Sequence, residues 1–144
     1  MKNILVCIDF HKKTHLLIEK GIELAKAFGA KLWLVHIAAP DPDFVGYDVG
    51  PQYIRDARAD ELKDEHHFLI NTSKELKEKG IDAEGLLIQG DINDLIKEEA
   101  KKLNAELIIT GHHPHSFIYD AFFGSTSKSI ISKAELPVLV IPFG

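Results

Sequence analysis

Near its start the chain reads Asn3-Ile-Leu-Val-Cys-Ile-Asp9, a short and nearly continuous apolar run that ends in a carboxylate. Such a run is typical of a strand that is covered on both faces, as the strands of parallel sheets are. Comparable runs predict four further strands, at residues 31–37, 83–89, 105–110 and 137–142. The last of these runs is bracketed by Pro137 and Pro142, which mark its two ends.

Amphipathic segments between the predicted strands predict four helices. The second is long and charged, over residues 54–79, and the fourth is short, over residues 125–134. A connection rich in proline and glycine, from Ala38 to about Tyr53, is expected to form a surface flap. The residues predicted to share one face of the first three helices are Leu17, Gly21, Leu24 and Phe28, then Leu62, His66, Leu69, Ser73 and Leu76, and finally Leu95, Ile96, Ala100 and Leu103.

Strands that alternate with helices predict an α/β fold, because parallel neighbours require crossover connections. We expect one domain over residues 1–144, a doubly wound five-stranded parallel sheet with strand order 3-2-1-4-5 and helices on both faces. In that order the ligand crevice lies between strands 1 and 4, outside their carboxyl ends. The sequence therefore predicts a site where Asp9 lies opposite the loop that begins at Gly111.

Composition limits the classes of function. The 144 residues carry a net charge of −5 and contain no block of Lys or Arg that could follow a nucleic-acid backbone. No apolar run approaches the length that spans a bilayer, and the first strand begins too early to leave room for a signal peptide. We therefore expect a soluble, cytoplasmic protein with no nucleic-acid or membrane partner. Cys7 lies inside the first strand and is expected to be a core residue rather than a nucleophile.

The loop from Gly111 to Thr126 carries most of the recognisable chemistry. It enters a helix at Gly124-Ser125-Thr126, where Ser125 is a good N-cap and the backbone N–H groups form an anion site. The spacing resembles the nucleotide-binding motif of the universal stress protein family, Gly-x2-Gly-x9-Gly followed by Ser or Thr, with Pro114 in place of the second glycine. The resemblance extends over the whole chain, from the strand that ends in Asp9 to the terminal Leu-Pro-Val-Leu-Val-Ile segment.

That resemblance implies a dimeric stress-response regulator that binds ATP or another adenine nucleotide and recognises a protein partner. Asp9 could also help to hold Mg²⁺ beside the phosphates. Thr110 ends its strand where it could line the same pocket, and Pro114 lies within the motif. The resemblance assigns the phosphates to Gly111, Gly124, Ser125 and Thr126, the ribose to Asp9 and the adenine to Ile37.

Other interpretations remain open. Pro114 removes a backbone donor, which favours a dimeric interaction protein of the same fold that binds no nucleotide. No catalytic residue is identified, so any ATP hydrolysis is expected to be slow. The histidines of the loop, His112, His113 and His115, are candidate metal ligands, but neighbouring histidines usually point apart and the alternative is solvated or phosphate-contacting imidazoles.

The fifth strand forms an edge of the sheet in the expected order. An apolar edge aggregates unless it is covered, and pairing with a second copy across a two-fold axis would cover it. The alternative is that the terminal Phe143-Gly144 or a helix covers the edge. The residues expected at a dimer interface are Val138, Leu139, Val140 and Ile141.

Overall fold

Five strands and three helices make up the part of the chain that the computed structural model describes, residues 1–39, 52–112 and 135–143. The strands are β1 (Asn3–Cys7), β2 (Lys31–Ala38), β3 (Ala83–Gln89), β4 (Leu107–His112) and β5 (Val138–Pro142). The helices are α1 (Thr14–Phe28), α2 (Gln52–Glu78) and α3 (Ile92–Lys102). The predicted fourth helix and most of the predicted flap lie outside the described residues.

The strands pair in the order β3-β2-β1-β4-β5, and every pairing is parallel. Helices α1 and α2 pack on one face of the sheet, and α3 packs on the other. The predicted α/β class and the predicted strand order are therefore confirmed. In the described ranges no helix combines the length and apolarity needed to cross a bilayer.

Strand β1 lies at the centre of the sheet and contributes to a core on each face. Ile4 and Val6 pack with residues of α1 and α2, whereas Leu5 and Cys7 pack with residues of α3. All four side chains are fully buried. Burial on both faces explains why this stretch is apolar at successive positions rather than at alternate ones.

The carboxyl ends of β1 and β4 each differ from the prediction by two residues. β4 continues past Thr110 because β5 supplies parallel partners, so that Gly111 pairs with Ile141 and His112 pairs with Pro142. The expectation that the loop begins at Gly111 is therefore wrong, since Gly111 and His112 belong to the strand. On the other side of the crevice, β1 ends at Cys7 rather than at the predicted Asp9.

One residue predicted to face inward is exposed. Phe28 is 55% exposed, because the buried face of α1 follows Leu17, Gly21 and Ala25 and ends before the last turn. His66, which shares the spacing of the α2 leucines but was expected at the helix surface, is exposed, and the partly buried position beside it belongs to Glu65. Glu65 lies inward because its carboxylate contacts His36 of the underlying strand β2, with 2.6 Å between Oε2 and Nε2.

Candidate functional site

The crevice expected from the strand order lies at the carboxyl ends of β1 and β4, which are neighbours in the sheet. Doubly wound sheets bind ligands where the winding reverses, because the two loops there diverge and leave a cleft. Asp9 follows β1, and Gly111 lies in the last two residues of β4. The strand order thus places the carboxyl ends of β1 and β4 side by side, as predicted.

Asp9 organises the loop between β1 and α1. Its Oδ1 accepts hydrogen bonds from the His11 amide and the Thr14 hydroxyl, both at 3.2 Å. Helix α1 has no acidic residue in its first turn and no side-chain cap at Lys13. The Asp9 carboxylate therefore supplies negative charge close to the positive end of the helix dipole.

Gly111 is covered by the ring of Phe143, a contact that the sequence analysis did not anticipate. A Cβ at position 111 would lie 2.1 Å from the ring Cζ, so a side chain here requires the ring to move. The Phe143 ring stacks on the ring of His11, with 4.6 Å between centroids and 12° between planes. The Phe143 carbonyl also accepts a hydrogen bond from the Lys13 ammonium group. The end of the chain thus joins β4 to the loop after β1.

Ile37 and Thr110 occupy buried positions near the carboxyl ends of β2 and β4. Ile37 is 6% exposed and packs in the core under α3. Thr110 is fully buried, and its Oγ1 lies 3.5 Å from the carbonyl oxygen of Gly111. Beside them, the amide of Gly90 donates to the Ala38 carbonyl at 3.0 Å and ties the end of β3 to the end of β2.

A cavity of about 410 Å³ opens between the loop after β1 and helix α2. Phe10, Ile18 and Phe68 form its apolar wall, and Lys12 and Thr72 are among its polar lining. The cavity adjoins the Asp9 loop on the face that carries α1 and α2. Small-molecule sites combine apolar walls with a few polar groups, and this cavity has that composition.

The remaining predicted site residues fall outside the described part of the chain. Pro114, Gly124, Ser125 and Thr126 of the nucleotide motif lie there, as do His113 and His115. His112 is exposed at the end of β4. Within residues 1–39, 52–112 and 135–143, no three His, Cys, Asp or Glu side chains gather closely enough to hold a metal ion.

Cys7 is fully buried near the same crevice. Burial raises the pKa of the Cys7 thiol far above its ordinary value, and the negative charge of Asp9 raises it further. A thiol with a raised pKa is a poor nucleophile, because the thiolate is the reactive form. The expectation that Cys7 is a core residue is confirmed.

The outer edge of β5 has no further strand beside it among residues 1–39, 52–112 and 135–143. The Phe143 amide donates to the His112 carbonyl at 2.9 Å, so this residue turns toward β4 rather than outward. Val138, Leu139, Val140 and Ile141 are all partly buried, and β5 is the last strand of the sheet on that side. The Phe143 backbone thus continues the bonding to β4, whereas Gly144 and the predicted fourth helix lie outside the described residues.

Comparisons with known proteins agree with this fold. The model of the universal stress protein family matches residues 1–142. A universal stress protein A homolog from Haemophilus ducreyi is 28% identical over 148 residues, covering 98% of this chain and 96% of the relative. Universal stress protein C from Salmonella typhimurium is 29% identical over 143 residues, covering 97% of this chain and 94% of the relative.

Solved structures of the same fold include nucleotide complexes. A universal stress protein family member from Burkholderia pseudomallei has a TM-score of 0.70 at 24% identity, covering 98% of this chain and 96% of its own. A universal stress protein in complex with cAMP has a TM-score of 0.66 at 18% identity, covering 99% and 98%. A family protein from Arabidopsis thaliana with AMP bound has a TM-score of 0.60 at 17% identity, covering 100% and 93%.

Proposed function

Because the chain belongs to the universal stress protein family, we propose that it binds an adenine nucleotide at the carboxyl edge of its sheet. The observation that carries this proposal is the adjacency of β1 and β4, which sets the Asp9 loop beside the end of β4. Two structures of the same fold hold cAMP and AMP, which supports an adenine nucleotide as the ligand.

In this proposal, the ribose, the base and the phosphates contact different strands along the carboxyl edge of the sheet. Asp9 accepts hydrogen bonds from the ribose hydroxyls, and Ile37 and Thr110 line the pocket at the ends of their strands. We propose that Gly111, Gly124, Ser125 and Thr126 of the motif contact the phosphates, for which backbone N–H groups and hydroxyls are suitable donors, and that Pro114, which has no N–H, borders the same site. Where Mg²⁺ accompanies the phosphates, the Asp9 carboxylate is the proposed ligand.

Calorimetry with nucleotide-free protein tests the proposal. Titration with ATP, ADP, AMP and cAMP is expected to give saturable heat for at least one of them. Asp9→Asn keeps the shape of the side chain but removes its charge, and a hydrogen bond to a charged group contributes about 1.5–3 kcal/mol. We therefore expect the affinity to fall by about tenfold or more.

Asp82→Asn is the matched control, because Asp82 is exposed and precedes β3 at the opposite edge of the sheet. This variant should bind as the parent chain does. Thermal unfolding of both variants separates a change in affinity from a change in stability. Absence of saturable heat with all four nucleotides at millimolar concentration would contradict the proposed function.

We further propose a cytoplasmic stress-response regulator that acts as a homodimer and changes its recognition of a protein partner with its nucleotide state. A second candidate function is a dimeric interaction protein that needs no nucleotide. The Phe143 ring favours this candidate, because it fills the space above Gly111, the first glycine of the motif. Freshly purified protein that releases no nucleotide on denaturation, and that dimerises equally with and without nucleotide, would support it.

A further inference from the structure

The cavity between the loop after β1 and helix α2 is separate from the proposed nucleotide contacts. Its described lining comes from that loop, from α1 and from α2. None of the described residues assigned to the nucleotide, Asp9, Ile37, Thr110 and Gly111, lines it. Ile37 packs under α3, on the opposite face of the sheet. The cavity therefore needs an explanation of its own.

Two aromatic rings in the wall of this cavity remain partly open to solvent. Phe10 is 36% exposed and Phe68 is 38% exposed. Their rings meet edge-on, with 5.3 Å between centroids and 68° between planes. Ile18 of α1 extends the same apolar wall. Large apolar side chains that lie exposed side by side mark a binding surface, because a ligand that covers them removes apolar area from water.

The Phe10 ring is held in place before any ligand binds. Its backbone has a φ of 58°, which is uncommon for a bulky residue, and the bond from the His11 amide to Asp9 Oδ1 closes the turn around it. The ring also packs edge-on against His36, with 4.7 Å between centroids. A side chain that is already fixed loses little further freedom when a ligand packs on it. The aromatic wall is therefore preformed.

The polar lining of the cavity favours an anion. Lys12, His15 and Thr72 bring an ammonium group, an imidazole and a hydroxyl, and none of the described lining residues is Asp or Glu. Lys12 takes part in none of the ion pairs between described residues. Helix α1 begins beside the cavity and has no acidic residue in its first turn. The cavity thus offers positive charge within a chain whose net charge is −5.

The size and the walls of the cavity narrow the ligand further. An apolar cavity of about 150 Å³ holds one benzene ring. The volume of about 410 Å³ therefore has room for two fused rings and a charged group. Aromatic rings pack favourably against each other edge-on or offset, which favours an aromatic ligand over an aliphatic one at Phe10 and Phe68.

We propose that this cavity is a second ligand site, which binds a small aromatic carboxylate with its rings against Phe10, Ile18 and Phe68 and its carboxylate at Lys12. This inference does not depend on the proposed function. A nucleotide is also an aromatic anion, so AMP is the alternative occupant that the experiment must separate from the proposed one.

A pair of probes tests the ligand class. 2-Naphthoate has two fused rings and a carboxylate, and 2-naphthamide has the same rings without the charge. Titration of the full chain, followed by NMR, should give saturable shifts at Phe10, Ile18, Phe68 and Thr72. The amide should bind about threefold more weakly, which is the size expected for an exposed ion pair. Absence of saturable naphthoate binding at millimolar concentration, or shifts centred elsewhere, would overturn the proposal.

Lys12→Gln tests the charged contact. This variant should lose about threefold in affinity for naphthoate and nothing for naphthamide, because only the carboxylate uses the ammonium group. Lys26→Gln is the matched control, since Lys26 lies in the last turn of α1, and it should bind both probes as the parent chain does. Equal affinity of Lys12→Gln and the parent chain for naphthoate would refute the role of Lys12, as would equal losses for the two probes.

Phe68→Ala tests the aromatic wall. Both probes should lose about fivefold in affinity, because they lose the same ring contact. Phe28→Ala is the matched control, since Phe28 is 55% exposed at the end of α1 and does not line the cavity. Thermal unfolding of the two variants shows whether the fold is kept. Unchanged affinity in a folded Phe68→Ala variant would contradict the proposed wall.

Competition with AMP separates the two sites. Saturating AMP should leave the affinity for naphthoate unchanged, because the proposed nucleotide contacts do not line this cavity. Displacement of naphthoate by AMP would assign the cavity to the nucleotide and overturn a second site. If naphthoate binds but no nucleotide does, the proposed function alone is refuted.

Discussion

Phe143 occupies the space that a side chain at position 111 would need. The ring is 3% exposed and lies against the Gly111 Cα, between β4 and the ring of His11. Glycine at this position therefore has a packing role in the described structure, besides any role in admitting phosphate. The two roles can be separated by changing the ring and the glycine together.

Gly111→Ala should destabilise the protein by about 1–3 kcal/mol, because the added methyl group overpacks the Phe143 ring. In the background of Phe143→Ala the ring is absent, and the same substitution should cost little or nothing. Urea unfolding of the two single variants and the double variant measures this coupling. Equal costs of Gly111→Ala in both backgrounds would show that the ring does not limit the space.

Cys7 should resist thiol reagents in the folded protein. Burial and Asp9 raise the pKa of its thiol, so the reactive thiolate is scarce at neutral and moderately alkaline pH. Labelling with a disulfide reagent should follow the rate of unfolding rather than the concentration of the reagent. The control is the denatured chain, which should react at once, and rapid labelling of the native protein would contradict the burial of Cys7.

At the level of elements, α2 approaches the sheet closely at Gly85 of β3. A Cβ at this position would lie 2.7 Å from the backbone oxygen of Leu69 and 2.8 Å from its carbonyl carbon. Backbone atoms of a helix cannot move aside as the end of a side chain can. The packing distance between α2 and β3 is therefore set by the absence of a side chain at position 85.

Gly85→Ala should cost about 2 kcal/mol or more, because α2 must shift away from the sheet. Gly21→Ala is the comparison, since Gly21 lies within α1 and its added Cβ would meet side-chain atoms, the Val6 Cγ2 at 3.3 Å and the two Leu32 Cδ atoms at 3.4 Å. Alanine also gains about 1 kcal/mol of helix propensity over glycine. Chemical denaturation should rank Gly85→Ala well below Gly21→Ala in stability, and the reverse order would refute this packing.

Hydrophobic periodicity predicted correctly those elements whose buried positions follow a regular local spacing. The apolar run at residues 3–9 indicated a central strand, and the regular spacing of Leu69, Ser73 and Leu76 indicated the buried face of α2. The prediction failed where a partner distant in sequence decides. Glu65 rather than His66 turns inward because His36 lies across from it, and β4 extends through Gly111 because β5 lies alongside.

The position of the candidate site was predictable from the sequence, but several of its side-chain contacts were not. Strand order alone brought Asp9 to the end of β4, since the crevice of a doubly wound sheet follows from its winding. The contact between Phe143 and His11 was not predicted, because the two residues are far apart in sequence and no local pattern indicates such a contact. His36 gave only the signal of a polar residue at the end of a buried strand, without its partner.

For the whole molecule, we expect two copies to associate through the outer edge of β5, the last of the described strands on that side of the sheet. The Phe143 amide and the Pro137 carbonyl both bond to β4, so by alternation the backbone groups of Val138 and Val140 point away from the sheet. The backbone of Pro142 also points outward, so its lack of an N–H costs no hydrogen bond to β4. The proposed homodimer would use the outward groups of Val138 and Val140.

Val140→Pro should abolish the dimer, because it removes an outward donor while the bonds to β4 remain. Val140→Ala is the matched control, since it loses a similar side chain but keeps the N–H. Sedimentation velocity at micromolar concentration should show monomer for the proline variant and dimer for the alanine variant and the parent chain. A parent chain that sediments as a monomer would rule out the proposed interface.

The most direct test of the account follows backbone amides while AMP is added to nucleotide-free protein. The largest shifts should cluster at the carboxyl edge of the sheet, at Asp9, His11, Ile37, Gly111 and His112. Residues at the opposite edge, such as Lys2, Asp82 and Glu106, serve as the internal reference and should not move. Shifts centred on the opposite edge, or no shifts at millimolar AMP, ADP or ATP, would contradict a nucleotide site between β1 and β4.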